Sequence, residues 1–155
     1  MTTYFEDFEP GQVYELGERT VSRDEIVAFA RAWDTQPFHL DERAAADGPF
    51  GGLVASGWHT TAVLMRLYVD RLLLGAASMG SPGVEELRWL QPVRPGDTLR
   101  GRVTVLETTA SAKRADRGTI RARLELENEH GETVLAMVAR GYFGRRPDGE
   151  RAPTR

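Results

Sequence analysis

In the first third of the chain, apolar residues recur first at every second position and then at the spacing of a helix. Apolar and polar residues alternate in "GQVYELGERTV" (11–21), which predicts a β-strand. Apolar residues then recur at helical spacing in "SRDEIVAFARAW" (22–33), where Ser22 is followed three residues later by a glutamate, a capping-box pattern. A second, shorter helix is predicted over 41–47, with Asp41 as its cap.

The longest helical segment, "WHTTAVLMRLYVDRLLLG" (58–75), carries apolar side chains almost all round. A helix of this kind is expected to be buried on most of its faces. Alternating patterns that end in Pro or Gly turns predict four later strands, at 83–93, 99–114, 118–129 and 132–143. The predicted fold is α+β, a curled antiparallel sheet wrapping the long central helix, because one apolar face of each strand then covers the helix.

A single domain is predicted over residues 1–144. The 155-residue chain has the length of one ordinary domain and shows no internal repeat. From about Arg145 the sequence is polar with Pro and Gly, so 145–155 is interpreted as a loose C-terminal tail. A curled sheet leaves edge strands with unpaired backbone groups, which a second subunit can cover, so we expect a homodimer or a higher oligomer.

Composition and charge argue against several classes of protein. Hydrophobic residues make up 41% and charged residues 28% of the chain, a globular balance. The net charge of −3 gives no reason to expect nucleic acid or an anionic membrane as partner. The acidic N-terminus lacks the apolar core of a signal peptide and no apolar run reaches membrane-spanning length, so a cytoplasmic protein is expected. The absence of cysteine excludes disulfides, thiolate metal sites and a cysteine nucleophile.

The first candidate for chemistry is "WDTQPFHLD" (33–41), at the end of the first predicted helix. Asp34 and His39 would point in different directions if the helix continued through both of them. Pro37 favours an end to the helix and a turn, which predicts a short loop on which the two side chains face one pocket. Gln36 can hydrogen-bond its neighbours and stiffen this loop. Such an acid and base can move protons, although Asp, Gln and Pro are also common where helices end.

The second candidate is the start of the long helix in "FGGLVASGWH" (50–59). The first amides of a helix have no internal partners and carry a partial positive charge. A glycine at this point lets a substrate approach the backbone closely. The Gly57 N–H is therefore predicted to donate to a carbonyl oxygen as an oxyanion hole. Ser56 has an ordinary alternative role as the helix cap, which would use only its side chain.

Two other interpretations use residues of the same region. Ser56, His39 and Asp34 would form a hydrolase triad, but "VASGW" is not a G-x-S-x-G motif. His39, Asp41 and His59 would bind a metal, but the helical H-E-x-x-H spacing and cysteine ligands are missing. We therefore expect no metal site, with His59 packed at the start of the long helix.

Together these segments resemble a known family. The set D-x-x-P-x-H-x-D (34–41), "FGGLVASGW" (50–58), a long apolar helix and "LRWLQPVRPGDTL" (87–99) is similar to the MaoC-like dehydratases, including the (R)-specific enoyl-CoA hydratases. The resemblance covers roughly 5–143 and implies the hotdog fold, a curled antiparallel sheet around a central helix. The "PVRPGD" piece is shared with hotdog thioesterases.

The resemblance also implies roles for single residues. The family's catalytic aspartate and histidine fall on Asp34 and His39, and its oxyanion amide falls on Gly57. The residues expected to contact substrate are Gln36, Phe38, Ser56 and Trp58. At positions 36, 56 and 58 the family often carries Asn, His and a smaller apolar residue, so the acyl group is not assigned.

The activity that the resemblance implies is the interconversion of a 2-enoyl-CoA and a 3-hydroxyacyl-CoA by acid/base addition of water. The acyl-CoA is the substrate, and no metal or redox cofactor is expected. Two alternatives remain open at this point. One is an acyl-CoA thioesterase of the same fold, and the other is an acyl-CoA-binding protein without turnover.

Overall fold

Five strands and one long helix organise the computed structural model, which describes residues 1–148. The elements are β1 (Val13–Thr20), α1 (Arg23–Trp33), α2 (Pro37–Leu40), α3 (Glu42–Ala46), α4 (Gly57–Arg71), β2 (Gly83–Trp89), β3 (Thr98–Ala110), β4 (Arg117–Glu127) and β5 (Thr133–Gly144). Neighbouring strands are antiparallel, in the order β1-β3-β4-β5-β2. The predicted α+β architecture is confirmed.

The two helix starts predicted from the sequence are observed. At the start of α1 the Glu25 N–H donates to Ser22 Oγ (3.1 Å), and the Ser22 N–H donates to Glu25 Oε2 (2.9 Å). This capping box satisfies two backbone donors that the helix leaves without partners. At the start of α3, Asp41 Oδ1 accepts from the Ala44 N–H at 2.8 Å. The two caps fix the ends of the connection that carries Asp34 and His39.

The core lies between α4 and the sheet. Cross-strand pairing aligns Val103 of β3 with Leu124 of β4, and Leu124 with Met137 of β5, so their side chains share the inward face. Leu64 of α4 belongs to the same core and is fully buried. The predicted inward positions of β4 are confirmed, since the four residues concerned are nearly inaccessible: Ile120, Ala122, Leu124 and Leu126.

Helix α4 is less enclosed than its sequence predicts. It buries Val63, Leu64 and Leu67, but Trp58 and Met65 are 60% and 48% exposed. The expectation that most faces would be buried is therefore wrong for the single chain. The reason is geometric: one five-stranded sheet covers one side of the helix and leaves the other side open.

The outer strands of the sheet are β1 and β2, and β2 is exposed at six of its seven residues. At the end of β5 the chain stays attached to its N-terminal segment, because Arg145 pairs with Glu6 and Arg146 pairs with Asp7. The rest of the predicted tail, from 149 onward, lies outside the described residues. Within residues 1–148, no helix has both the length and the apolar character needed to cross a membrane.

Candidate active site

Asp34 stands where α1 ends. Its backbone N–H donates to the Ala30 carbonyl at 2.9 Å, the last bond of the helix, while its own φ and ψ of −149° and 77° turn the chain away from the helical path. The residue is half-buried. The Asp34 carboxylate is thus placed at the end of α1, where the chain leaves the helix.

His39 lies on a helical turn rather than on the predicted loop. Gln36 has extended backbone and Pro37 occupies the first position of α2, where a fixed φ and a missing N–H favour a helix start. The His39 N–H then donates to the Gln36 carbonyl at 3.0 Å. The proline turns the chain, as predicted, and it also begins a new helical turn that the sequence interpretation missed. His39 is 5% exposed as a result, far more buried than a loop position implies.

The contacts of the His39 ring define its chemistry. Nδ1 lies 2.7 Å from the Val54 carbonyl oxygen, which can only accept, so Nδ1 carries the hydrogen. Nε2 faces Asp34 Oδ2 at 3.3 Å. In a neutral ring Nε2 is then the basic nitrogen and lies beside a carboxylate oxygen. The predicted convergence of Asp34 and His39 is present in the structure.

Several neighbours set the charge state of Asp34. Burial by itself raises the pKa of this carboxyl, but the Gln36 side chain, the Ser56 hydroxyl and His39 lower it by more, so the pKa lies below its ordinary value. Gln36 Nε2 donates to Asp34 Oδ1 at 2.8 Å. Ser56 lowers this pKa less than Gln36 does, because Ser56 Oγ makes no hydrogen bond of normal geometry within residues 1–148. Asp34 is therefore a carboxylate at neutral pH.

The start of α4 is uncapped. Ser56 occupies the cap position with extended backbone, but its side chain makes no capping bond, contrary to its ordinary alternative role. The first intrahelical bond runs from the Thr60 N–H to the Ser56 carbonyl at 3.1 Å. The amide of Gly57 precedes that bond, at the end of the helix that carries partial positive charge. Among the described residues the fully buried Ser56 hydroxyl makes no hydrogen bond of normal geometry, although it lies close enough to Asp34 to lower the pKa of that carboxyl.

Among the residues of the site that the sequence interpretation does not include, Trp89 has the most direct contact with a predicted one. Trp89, at the end of β2, lies directly against Gly57, so a Cβ built on that glycine would come within 2.5 Å of the indole ring. Trp89 Nε1 donates to Thr61 Oγ1 at 3.1 Å, and the ring makes an edge contact with Trp58. Trp89 lies within the 87–99 motif, but nothing in that motif assigns it a role, because its contact with Gly57 depends on the sheet register that places the end of β2 beside α4.

All seven residues predicted for the site face one cavity of about 460 Å³. They are Asp34, Gln36, Phe38, His39, Ser56, Gly57 and Trp58. Phe38 forms edge contacts with His39 and with Phe50, which lies opposite on the 48–56 connection. Trp89 adds a further aromatic wall. An acid, a base and the uncapped start of a helix therefore share one partly apolar space.

The hydrolase triad is not formed. A triad needs a serine hydroxyl bonded to one ring nitrogen of histidine and a carboxylate bonded to the other. Here Nδ1 of His39 is bonded to a backbone carbonyl and Nε2 faces Asp34, while the Ser56 hydroxyl reaches neither nitrogen. The contacts of these three residues therefore do not support a serine hydrolase.

The three residues considered as metal ligands also have other contacts. Asp41 caps α3, His39 bonds the Val54 carbonyl, and His59 stacks on Phe29 with ring centroids 5.0 Å apart. Among residues 1–148, no three His, Asp or Glu side chains form a cluster able to hold a metal ion. The prediction that His59 packs at the start of α4 is confirmed, since it is 9% exposed.

The fold and site together define a hotdog-fold protein with an aspartate–histidine pair beside the start of its central helix. A family model for the MaoC-like domain matches residues 7–128. Similar proteins include the 3-hydroxybutyryl-CoA dehydratase of Methylorubrum extorquens, 34% identical over 72% of this chain and 69% of that protein, and an uncharacterized protein, YdeM, of Bacillus subtilis, 32% identical over 80% and 86%. The crystal structure of the MaoC-like dehydratase from Rhodospirillum rubrum is 42% identical, covers 93% of this chain and 98% of its own, and superposes with a TM-score of 0.85.

The chain belongs to the MaoC-like dehydratase family. The matched segment begins in the N-terminal turn and extends through β4, so it includes the aspartate–histidine pair, the start of α4 and Trp89. The resemblance inferred from the sequence motifs is confirmed at the level of family and fold.

Proposed function

We propose that the protein is a hydratase/dehydratase that interconverts a 2-enoyl-CoA and a 3-hydroxyacyl-CoA. The observation that carries this proposal is the placement of Asp34 Oδ2 against His39 Nε2, 3.3 Å apart, in the cavity that also receives the start of α4. Addition of water to a conjugated thioester needs an acid/base group at one carbon and hydrogen-bond donors at the carbonyl oxygen. Membership of the family supports the same class of reaction.

The backbone activates the thioester. Its carbonyl oxygen accepts a hydrogen bond from the Gly57 N–H, which draws electrons from the conjugated double bond and makes the β-carbon electrophilic. When water adds, negative charge moves to that oxygen as an enolate. The partial positive charge at the start of α4 stabilises the enolate more than it stabilises the neutral substrate, so the barrier to addition falls.

His39 transfers the proton, and Asp34 stabilises the charged form of His39. A water bonded to both Asp34 Oδ2 and His39 Nε2 attacks the β-carbon and gives one proton to Nε2. His39 is the acceptor because Nε2 bears the free electron pair, whereas the lowered pKa of Asp34 makes its carboxylate a weaker base. Asp34 stabilises the imidazolium that forms. The imidazolium then returns the proton to the α-carbon, so the hydrogen and hydroxyl of one water both reach the product.

The remaining predicted residues bind the substrate. Phe38 and Trp58 offer apolar surface, and Gln36 holds Asp34 in place for it. The Ser56 hydroxyl, which makes no hydrogen bond of normal geometry within residues 1–148, is available to a polar group of the substrate. Each step uses only side chains and amides of this chain. We therefore propose that the reaction needs no metal or redox cofactor and that coenzyme A is part of the substrate.

We also propose that the working unit is a homodimer or a higher oligomer. The free edge of β2 carries exposed apolar side chains at Val84 and Trp89, and Leu90 and Met79 beside it are exposed too. Pairing this edge with a second copy would satisfy backbone groups and cover that apolar surface. Light scattering at micromolar concentration tests this, and a mass equal to one 17.2 kDa chain, with activity intact, would contradict it.

The reaction is tested with crotonyl-CoA in a spectrophotometer. Loss of the enoyl absorbance with the thioester intact is the expected result. Release of free thiol instead would show an acyl-CoA thioesterase. A thermal shift on adding acyl-CoAs, with neither reaction, would indicate the non-catalytic binding protein. A panel of acyl chains of different length and branching extends the same assay to the substrate preference.

A further inference from the structure

The face of the Trp89 indole occupies the space where any other residue at position 57 would place its side chain. A Cβ on Gly57 would lie 2.5 Å from Trp89 Cδ2, 2.5 Å from Cε2 and 2.9 Å from Cε3. Real carbon atoms do not approach so closely, so the ring can pack against the main chain here only because residue 57 is glycine. The ring thereby limits the movement of the Gly57 Cα on that side.

A short chain of hydrogen bonds holds the same glycine through its carbonyl. Trp89 Nε1 donates to Thr61 Oγ1 at 3.1 Å, and Thr61 Oγ1 donates to the Gly57 carbonyl oxygen at 2.9 Å. Thr61 lies one turn after Gly57 on α4, so the strand end and the helix start are joined through one hydroxyl. Trp89 thus restrains Gly57 twice, by ring contact at the Cα and by hydrogen bonds at the carbonyl.

This double restraint acts at a helix end that has no side-chain cap. Uncapped helix ends fray, and Ser56 supplies no side-chain bond to the first turn. Donors to a developing oxyanion stabilise it only when their direction is fixed before the reaction. We propose that Trp89 is a positioning residue for the oxyanion hole, which acts through its contact with Gly57 and its hydrogen bond to Thr61. The inference rests on the proposed function, because it takes the Gly57 N–H as the donor to the thioester.

The hydrogen-bond arm is tested with Trp89→Phe, which keeps a ring and removes the N–H, and Thr61→Val, which keeps the shape and removes the hydroxyl. Each variant should lower kcat for crotonyl-CoA hydration by about three- to tenfold, the range for one lost hydrogen bond, with KM changed by less than about twofold. The double variant should be no worse than either single variant. Thr61→Ser, which keeps the hydroxyl, should have a kcat close to the wild type. Trp33→Phe serves as the control, because Trp33 is exposed and lies outside the cavity.

The ring contact is tested by enlarging residue 57 and reducing the size of residue 89. Gly57→Ala should abolish most turnover when Trp89 is present, because the added methyl group meets the ring. The same change made in a Trp89→Val background should cost much less, since the ring is gone. An equal loss of turnover from Gly57→Ala in both backgrounds would show that contact with the Trp89 ring does not position Gly57.

A spectroscopic readout separates this inference from the proposed reaction. The amide resonance of Gly57, observed by ¹H–¹⁵N NMR, should move in Trp89→Phe and in Thr61→Val and return in Thr61→Ser. If these shifts occur but the wild-type protein hydrates no enoyl-CoA, the proposed function fails and the positioning stands. If kcat and the Gly57 resonance are both unchanged in the first two variants, the positioning role is wrong, whatever the reaction proves to be.

Discussion

Helix α4 borders one cavity at its first turn and another along its middle. The first, of about 460 Å³, contains the aspartate–histidine pair and the uncapped start of the helix. The second, of about 250 Å³, lies between Met65 and Tyr68 of the helix and the inward side chains of β4 and β5, among them Leu124 and Met137. Both have substantial apolar walls, but only the first brings a carboxylate against an imidazole.

A helix contributes different groups to a cavity at its end and to one along its middle. At the middle of α4 the backbone groups bond to each other, so a cavity there offers side chains alone. At the first turn the amides have no internal acceptors, so the same helix also offers directed donors and a favourable potential for negative charge. We therefore expect changes in the first cavity to alter turnover and changes beside the second to alter stability.

The largest effect is expected at the proton-transfer pair. Asp34→Asn and His39→Gln should each lower turnover by roughly 10²–10⁴-fold, the usual range for a lost acid/base group. His39→Gln is chosen over alanine because His39 is buried and bonded to Val54, so an amide leaves less unfilled space. Asp41→Asn is the matched control, since asparagine also caps a helix.

In that experiment circular dichroism must show each variant to be folded before the rates are compared. Turnover near the wild-type rate in a folded Asp34→Asn or His39→Gln protein would remove the pair from the mechanism. A similar loss in Asp41→Asn would show that the assay reports on the fold of this region and not on its chemistry.

The second cavity gives the opposite expectation. Leu124 is 2% exposed and packs in the main core, so Leu124→Ala should lower the free energy of unfolding by about 2–5 kcal/mol. The kcat of the protein that remains folded should stay close to wild type, because Leu124 lines the second cavity and not the one that contains Asp34. Urea unfolding and initial rates measure the two quantities. A large fall in kcat at unchanged stability would reverse the assignment of the two cavities.

A smaller effect is expected from His59, on the side of α4 that faces α1. Burial lowers the pKa of His59 below its ordinary value of 6.5, and the charge of Glu25 opposes this only in part. The unfolded chain therefore binds a proton more readily than the folded chain as pH falls below about 6.5, so the free energy of unfolding decreases there, by at most about 1.4 kcal/mol per pH unit.

The His59→Leu variant tests this contribution. It should flatten the decrease of stability between pH 7 and the lower pKa that His59 has in the folded state. Denaturant unfolding at a series of pH values gives the slopes of wild type and variant. Identical slopes for wild type and His59→Leu would show that another group carries the pH dependence.

The smallest effect is expected from Gln36. Gln36→Leu removes the hydrogen bond to Asp34 Oδ1, so the pKa of Asp34 should rise toward its ordinary value of 3.8. Asp34 acts as a carboxylate, and a depressed pKa preserves that form to lower pH. The pKa of the Asp34 carboxyl, followed by NMR titration of its side-chain carbon, should therefore be higher in the variant than in the wild type, while the rate at neutral pH changes little. An equal pKa in the two proteins would show that Gln36 leaves the charge of Asp34 unaffected.

Local signals in the sequence predicted much of this structure. The capping box at Ser22, the alternation in β4 and the turn at Pro37 are all set by neighbouring residues, and each is present. The convergence of Asp34 and His39 followed from the same local reasoning. The motifs at 34–41 and 50–58 also indicated the family, because they contain the residues that line the site.

What could not be predicted depends on contacts distant in sequence. The exposed side of α4 follows from the area that a single sheet can cover, which periodicity does not report. The sequence interpretation gives Pro37 the end of α1 and a turn of the chain, yet Pro37 also starts α2. The pairing of β2 with β5 brings Trp89 against Gly57, and the residues around either position do not predict that register.

The central claim is that Asp34, His39 and the start of α4 add water across the double bond of an enoyl thioester. Its most direct test is incubation of crotonyl-CoA with the protein in water labelled with heavy oxygen, followed by mass spectrometry. We predict an intact coenzyme A thioester heavier by one labelled water, and no such product with Asp34→Asn. Heavy oxygen found only in a free carboxylic acid, with coenzyme A released, would contradict the account.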